Sequence, residues 1–502
     1  MRMDWHEADI ASLQAAMGRG ELTSLALTGI LLRRIEALDR GGPGLNAVIE
    51  INPDAASVAA ERDRERRARR LRGPLHGIPV LLKDNIDTAD RMQTTAGSLA
   101  LVGEPAPQDA TVVRRLREAG AVILGKTNLS EWANFRSTRA ETGWSARGGL
   151  VRNPHVLDRS PAGSSSGSAA AVAAGFAPIS LGTETHASII GPAHACGVVG
   201  MKPTVGLTSR AGVIPVAHSF DSVGVHARTV ADAALALNVL AGVDPRDPAT
   251  ARAAGNAHDD YTRFLLADGL RGARIGVARC WFGAGEEADR VFEEALEAMR
   301  RAGAELIDPV EFPSWQAVLE DQAEFTVMLY EFKAGVNAYL RTRQGVPVRT
   351  LADVIAFNER HAQQELRYFG QEILELAQGC GDLRDRAYVE ALAVSRRLGG
   401  AEGIDAVLRG YDLDAVVTPL GGPARRIDLR GGQMPRFHGP TALAARAGYP
   451  MVAVPAGHVG GLPIGLGFMA GAWEEPVLIR LAYAFERLTG ARRSPQFLPT
   501  LD

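Results

Sequence analysis

Ser160–Pro203 reads SPAGSSSGSAAAVAAGFAPISLGTETHASIIGPAHACGVVGMKP, and the rest of the chain is best read outward from it. It holds a Gly/Ser loop, a small-residue segment, and then a second serine inside Thr183-Glu184-Thr185-His186-Ala187-Ser188. Glycine, serine and alanine allow close backbone approach, so main-chain N–H groups can face a ligand. A Gly/Ser run can also be a flexible linker. Here it runs directly into Ala169-Ala170-Ala171-Val172-Ala173-Ala174, a strong helix former. A helix N-terminus behind a Ser-rich turn favours anions or developing negative charge. A serine hydroxyl is a weak nucleophile at neutral pH and needs a base. His186, His194 and His218 offer an imidazole for a Ser-His-Asp arrangement, although a histidine near a serine is more often a packing residue. Lys83 offers another base, at the end of the apolar run Ile78-Pro79-Val80-Leu81-Leu82. A lysine leaving a buried strand is partly desolvated, which lowers its pKa and favours the neutral amine.

Composition sets outer bounds. The 502 residues suffice for about three domains of ~150 residues on length alone. Hydrophobic and charged shares of 46% and 23% are those of an ordinary globular protein. A net charge of −3 gives no reason to expect nucleic acid or an anionic membrane. Cys196, Cys280 and Cys380 form neither a metal pattern nor a disulfide framework and fit a reducing, cytoplasmic setting. Met1-Arg2-Met3-Asp4-Trp5-His6-Glu7 lacks an apolar signal core, and no apolar run reaches the ~18 residues of a membrane span.

Along the chain, residues 8–39 read as two helices, with Leu27, Leu31, Ile35 and Leu38 on one face and Thr23 or Ser24 as a cap. Glu61–Arg72 carries a net +4 (seven Arg against Glu61, Asp63 and Glu65) and reads as a solvated helix face with i,i+4 pairs. Gly77–Lys83 reads as a strand. Gly120–Thr127, GAVILGKT, matches the phosphate-loop pattern. Its four middle residues read as a buried strand, whose N–H groups belong to a sheet, so the nucleotide reading is disfavoured. Further strands are expected at 179–181, 198–203, 273–278, 305–310, 414–419, 451–455 and 464–468. Helices are expected from Thr229 to about Leu240, at 286–302 and at 474–489. Residues 314–400 read as almost wholly helical, with Leu329, Tyr330, Phe332 and Val336 on one face. Strands alternating with helices imply an α/β sandwich.

Several segments together resemble a known family. They are Gly77-Ile78-Pro79-Val80-Leu81-Leu82-Lys83-Asp84-Asn85, Gly163-Ser164-Ser165-Ser166-Gly167-Ser168, and Gly182-Thr183-Glu184-Thr185 followed by Ser188 and Pro192-Ala193. The set resembles the amidase signature family, densely from about Leu75 to Ala231. Leu124–Asn134 and Gly143–Gly149 carry a closer likeness to its bacterial peptide amidases. The resemblance implies a single domain over residues 1–502, with one large, twisted, mixed sheet between helices and a helical excursion at about 314–400.

The resemblance also implies a Ser-Ser-Lys triad. Ser188 matches the nucleophile, Ser164 the bridging serine after a cis peptide bond from Gly163, and Lys83 the base. The two serines stand 24 residues apart, the family's usual separation. Ser188 would attack a carboxamide to form an acyl-enzyme. Ser164 would pass the proton to neutral Lys83 and return it to the leaving nitrogen. The N–H groups of Thr185, His186, Ala187 and Ser188 would form the oxyanion hole. Ser165, Leu150, His186 and Gly191 are expected to support the site or line the pocket. No metal or organic cofactor is required. The substrate would be a peptide or a small-molecule amide. Alternatives are an acyl-transfer or amide-forming enzyme, an amidotransferase A-type subunit, or a catalytically impaired homologue.

This chain departs from the family pattern at His186 and Ala187, where an acidic residue or glycine is usual, and at Leu150, Val151, Gly191 and Ala162. An alanine at 187 follows the family's turn freely if φ is negative, and is strained by about 1–2 kcal/mol if φ is positive. The kept spacing of Thr185, Ser188 and Pro192-Ala193 argues for an intact turn, with His186 facing the substrate.

Overall fold

Lys83 is delivered by a strand with no exposed residue, Pro79–Lys83, and the sheet is laid out around it. A computed structural model describes residues 4–431 and 438–501; the first three residues of the N-terminal stretch read above lie outside them. The strands are β1 Val48–Ile51, β2 Pro79–Lys83, β3 Val122–Thr127, β4 Trp144–Ser145, β5 Gly149–Leu150, β6 Ile179–Glu184 and β7 Val199–Lys202. They continue with β8 Ser222–Ala227, β9 Arg274–Val277, β10 Glu305–Ile307, β11 Ala415–Pro419, β12 Met451–Val459 and β13 Leu462–Met469. Eleven of them form one sheet in the order β1-β3-β2-β6-β8-β7-β12-β13-β11-β9-β10, while β4 and β5 pair separately.

The sheet is mixed. β2 runs parallel to both β3 and β6, whereas β8, β7, β12 and β13 continue in antiparallel pairs. Every residue of β2, β3, β6, β7 and β8 is buried. That explains their near-continuous apolar sequences: strands covered on both faces cannot alternate polar and apolar residues. The large mixed α/β sheet expected from the sequence is therefore present.

Most local readings match. Thr23 caps Ser24–Ile35 by accepting from Ala26 N, and Thr229 caps Val230–Leu240 by accepting from Asp232 N. The phosphate-loop look-alike is β3, and the buried Lys126 ammonium donates to Ile86 O at 2.6 Å and Thr94 Oγ1 at 2.8 Å. The basic run differs. Its helix ends at Arg67, and it is not simply a solvated face. Asp63 is buried and accepts from Ser24 N at 2.7 Å and Leu25 N at 2.9 Å, so it caps a neighbouring helix.

Residues 314–400 are mainly helical, with Ala323–Leu340 the longest helix. They build a second apolar cluster against the loops that carry Trp132, Phe135 and Phe220. Phe332 sits in it with no exposure, 5.2 Å from the Phe135 ring and 6.2 Å from the Trp132 indole. Leu329 and Tyr330 are only partly buried at its edge. Replacing a buried aromatic leaves a cavity as well as losing burial. Phe332→Ala should therefore lower unfolding stability by about 3–5 kcal/mol in urea titration. A loss under about 1 kcal/mol would show that the helical segment does not depend on this cluster.

Candidate active site

The Gly/Ser loop and the Ser188 turn meet at the ends of β2 and β6. The loop passes from Pro161 through a cis Gly163–Ser164 bond into the helix Ser166–Ala173, all of whose residues are buried. Only small side chains permit this packing. A Cβ at Gly182 would lie 2.8 Å from both Ser165 Oγ and His226 Cε1. Ser165 is also a brace. Its Oγ donates to Thr183 O at 3.0 Å, and its N–H donates to Ser188 O at 3.2 Å.

Lys83 Nζ lies 2.7 Å from Ser164 Oγ, 2.9 Å from Thr183 Oγ1 and 3.2 Å from Thr183 O. All three partners are neutral oxygens. Burial drives the lysine pKa down to about 7, against the opposing pull of Asp221 and then Glu184. Ser188 Oγ donates to His186 O at a long 3.4 Å. The structure thus joins Lys83 directly to Ser164, while the Ser188 hydroxyl is turned to the backbone of its own turn.

Three buried carboxylates hold that turn. Glu184 Oε2 accepts from Ile189 N at 2.6 Å and Ile190 N at 2.9 Å. Thr185 Oγ1 donates to Asp221 Oδ1, whose other oxygen accepts from Val216 N and Ala217 N. His186 Nδ1 lies 2.6 Å from Glu324 Oε1, on the long helix Ala323–Leu340. Ala187 has φ of 61°, in the left-handed region that alanine adopts at a cost of about 1–2 kcal/mol. The turn is therefore held at the strained of its two possible conformations.

Ser188, Thr185, His186, Ala187 and Gly163 line a 170 Å³ pocket closed by Ala133, Asn134, Phe135, Val216 and Met328. Asn134 is reached through three consecutive left-handed residues, Trp132, Ala133 and Asn134, at φ of 51°, 53° and 66°. Its Oδ1 is buried without a hydrogen-bond partner among the described residues. Leu150 is elsewhere. It lines a separate 240 Å³ cavity with Trp144, Arg367 and Tyr368. Gly191 is not among the residues lining the Ser188 pocket but lies beside Ala162 and Gly163, with the nearest atom 3.9 Å from a Cβ built there. Two larger cavities, of 570 and 640 Å³, share Arg210, His218 and Asp247 and are not lined by Lys83, Ser164 or Ser188. The chemistry, not the volume, marks the smaller pocket.

Of the other histidines, His194 is committed to packing through Gly422 O at 3.0 Å and Gly465 N at 2.9 Å. His218 is half exposed and faces Glu331. Sequence reasoning missed Thr183, Asp221, Glu324 and Asn134. The first was legible as part of the quoted segment. Asn134 ends a segment already noted for its family likeness, whereas Asp221 and Glu324 come from a distant loop and helix with no local pattern to mark them. Among the described residues, no three His, Cys, Asp or Glu side chains are grouped to hold a metal ion. No helix among them is long and apolar enough to cross a membrane.

A buried lysine bonded to a serine, beside a turn carrying a second serine, on a large mixed sheet, is the layout of an amide-cleaving serine enzyme. The chain belongs to the amidase signature family: the family model described as Amidase matches residues 26–479. The peptide amidase of Stenotrophomonas maltophilia superposes with a TM-score of 0.92 at 54% identity, over 98% of this chain and 99% of that one. A peptide amidase crystallised with the competitive inhibitor chymostatin gives a TM-score of 0.94 at 54% identity, over 98% and 100%. A probable amidase of Arabidopsis thaliana is 43% identical over 98% of this chain and 92% of its own length. The A-type subunit of the glutamyl-tRNA(Gln) amidotransferase of Chloroflexus aurantiacus is 36% identical over 96% and 97%. The chain is an amidase by family and by structural likeness.

Thr183 supplies two of the three oxygens around Lys83. Thr183→Val should lower kcat by about tenfold with little change in KM, the worth of one lost buried hydrogen bond. An unchanged kcat would show that Thr183 does not orient the amine.

Proposed function

We propose that this amidase cleaves a peptide or small-molecule carboxamide through an acyl-enzyme on Ser188, with Ser164 and Lys83 as its proton relay. The observation that carries the reading is the 2.7 Å contact between Lys83 Nζ and Ser164 Oγ, with the lysine pKa lowered to about 7. A neutral amine has two hydrogens and one lone pair. Thr183 O and Thr183 Oγ1 accept the hydrogens, which leaves the lone pair for the Ser164 hydroxyl. Rotation of Ser188 about χ1, away from His186 O, would bring its hydroxyl into the relay.

Ser188 then attacks the carboxamide carbon as its proton passes through Ser164 to Lys83. The C–N bond breaks as the proton returns by the same path to the leaving nitrogen. Water, deprotonated by the relay, releases the acid and restores Ser188. The oxyanion is served by N–H groups of the Thr185–Ser188 turn. Those of Ile189 and Ile190 are committed to Glu184. The buried Oδ1 of Asn134 suits a carboxamide N–H, because an unpaired buried acceptor is costly until a donor arrives. Strands from residues 48 to 469 share the sheet, which supports the reading of residues 1–502 as one domain.

A second reading is acyl transfer, as in an amidotransferase A-type subunit, supported by the 36% identity to one such protein. Product analysis with hydroxylamine separates the two. A hydrolase releases mainly acid and ammonia, whereas a transferase diverts most of the acyl group to hydroxamate.

Ser188→Ala should abolish both turnover and labelling by a fluorophosphonate probe while the protein stays folded. Normal labelling of that variant would remove Ser188 from the nucleophile's place. The base makes a separate demand. Lys83 is neutral above its folded pKa and protonated below it, so kcat/KM should rise with pH, with a midpoint near 7, and level off above. A profile flat from pH 5 to 9 would exclude Lys83 as a base that must lose its proton.

A further inference from the structure

The left-handed conformation of Ala187 needs a restraint, and the structure shows one that reaches outside the catalytic loops. His186, the preceding residue, has its imidazole 2.6 Å from Glu324 Oε1, with the carboxylate wholly buried and the imidazole nearly so. Glu324 Oε2 lies 3.2 Å from Arg446 Nε, in a charge contact without hydrogen-bond geometry. Arg446, 1% exposed, also donates to both oxygens of Asp321 at 2.8 and 3.1 Å. Arg446 lies on the short helix Ala442–Ala447, and Asp321 and Glu324 flank the start of Ala323–Leu340. Two buried charges on two helices thus fix where the imidazole sits. An ionised Glu324 only accepts, so His186 Nδ1 is the donor.

We propose that Glu324 is a positioning residue for the amidase reaction: through His186 it holds Ala187 in the left-handed conformation that shapes the oxyanion turn before Ser188. This rests on Ser188 being the nucleophile. The reasoning is local. Alanine escapes the left-handed region when it is released, whereas glycine occupies it freely. Ala187 is also held on its C-terminal side, where its carbonyl accepts from Gly191 N at 2.8 Å. On its N-terminal side, the His186–Glu324 bond and the Thr185–Asp221 bond are two of the side-chain anchors. Releasing the first should let the residue before Ala187 swing and the N–H groups lose aim. Losing one oxyanion donor costs about 10²–10³ in kcat, and partial misalignment costs less.

The test is a mutant cycle between 324 and 187, read as kcat per probe-titrated Ser188, so that unfolded protein does not count. Glu324→Ala should lower this kcat ten- to a hundredfold with a smaller effect on KM. Glu324→Gln, which keeps an acceptor at the same place, should recover most of the loss. Adding Ala187→Gly should raise kcat at least threefold more in the Glu324→Ala background than in the wild type. A side chain that only supports the fold would show neither the recovery by Gln nor this coupling. Glu324→Ala strips Arg446 of a partner and can fail to fold. His186→Leu leaves Arg446 with both carboxylates and carries the same cycle with Ala187→Gly. A normal kcat per site in both single variants, or a coupling below threefold in the variant that folds, overturns the proposal. Failure of the nucleophile assignment is distinct: the wild type would then carry no label on Ser188, and Ser188→Ala would keep its turnover.

Discussion

Removing one lysine from water sets the terms for the rest of this structure. Lys83 is wholly buried at the end of β2, and no carboxylate among the described residues touches its amine. Desolvation disfavours the ammonium form, and Asp221 and Glu184 only partly offset it at a distance. A fall from 10.5 to about 7 corresponds to on the order of 5 kcal/mol between the two protonation states. The small-residue sequence follows from this placement. Gly182, Ser165 and the Ala-rich helix Ser166–Ala173 let the backbone pack closely around the amine. The chain has just four lysines, Lys83, Lys126, Lys202 and Lys333, among 55 Lys and Arg. Three of them are fully buried. Arginine cannot be neutralised in a protein, whereas a buried lysine can, which suits lysine at position 83.

The carboxylates close to this lysine serve the turn more than the lysine. Glu184 takes two consecutive N–H groups after Ser188, and Asp221 takes Thr185 and two N–H groups of its own loop. If either moved into contact with the amine, it would restore the ammonium form. The arrangement thus separates two needs of one site: negative charge to fix a strained turn, and its absence from the hydrogen-bonding reach of Lys83. The helical segment adds the third carboxylate, Glu324, so the loops, the ends of β2 and β6, and the helices all converge on six residues of backbone.

The sheet, and the meeting of Lys83, the Gly/Ser loop and the Ser188 turn at its strand ends, were legible because their signals are local. An apolar run ending in lysine, a Gly/Ser loop feeding an Ala-rich helix, and a serine in a small-residue turn each stand in one stretch of sequence. β1 and β8 were not legible: β1 is only four residues long, and β8, Ser222–Ala227, carries Gly224 and His226 in its middle. Asp63 read as part of a solvated charge run because nothing nearby shows that it caps a helix 39 residues earlier. Asp221 and Glu324 reach the Ser188 turn by tertiary packing, and their own neighbourhoods look ordinary. Leu150 read as a pocket residue from its place after Gly148-Gly149, but the β4–β5 pair turns it toward Tyr368 and a different cavity. The sign of φ at Ala187 could not be read from residue types, because alanine gives no cue for the left-handed region.

The central claim is that Lys83 is a neutral amine at working pH. It is most directly tested by NMR titration of protein carrying lysine labelled with ¹³C at Cε. Four lysines give four signals at most, and single replacements assign them. The account predicts that the signal lost in Lys83→Met titrates with a midpoint near 7. A midpoint near 10 for that signal would mean a charged lysine beside Ser164 at neutral pH, and the relay as described would be wrong.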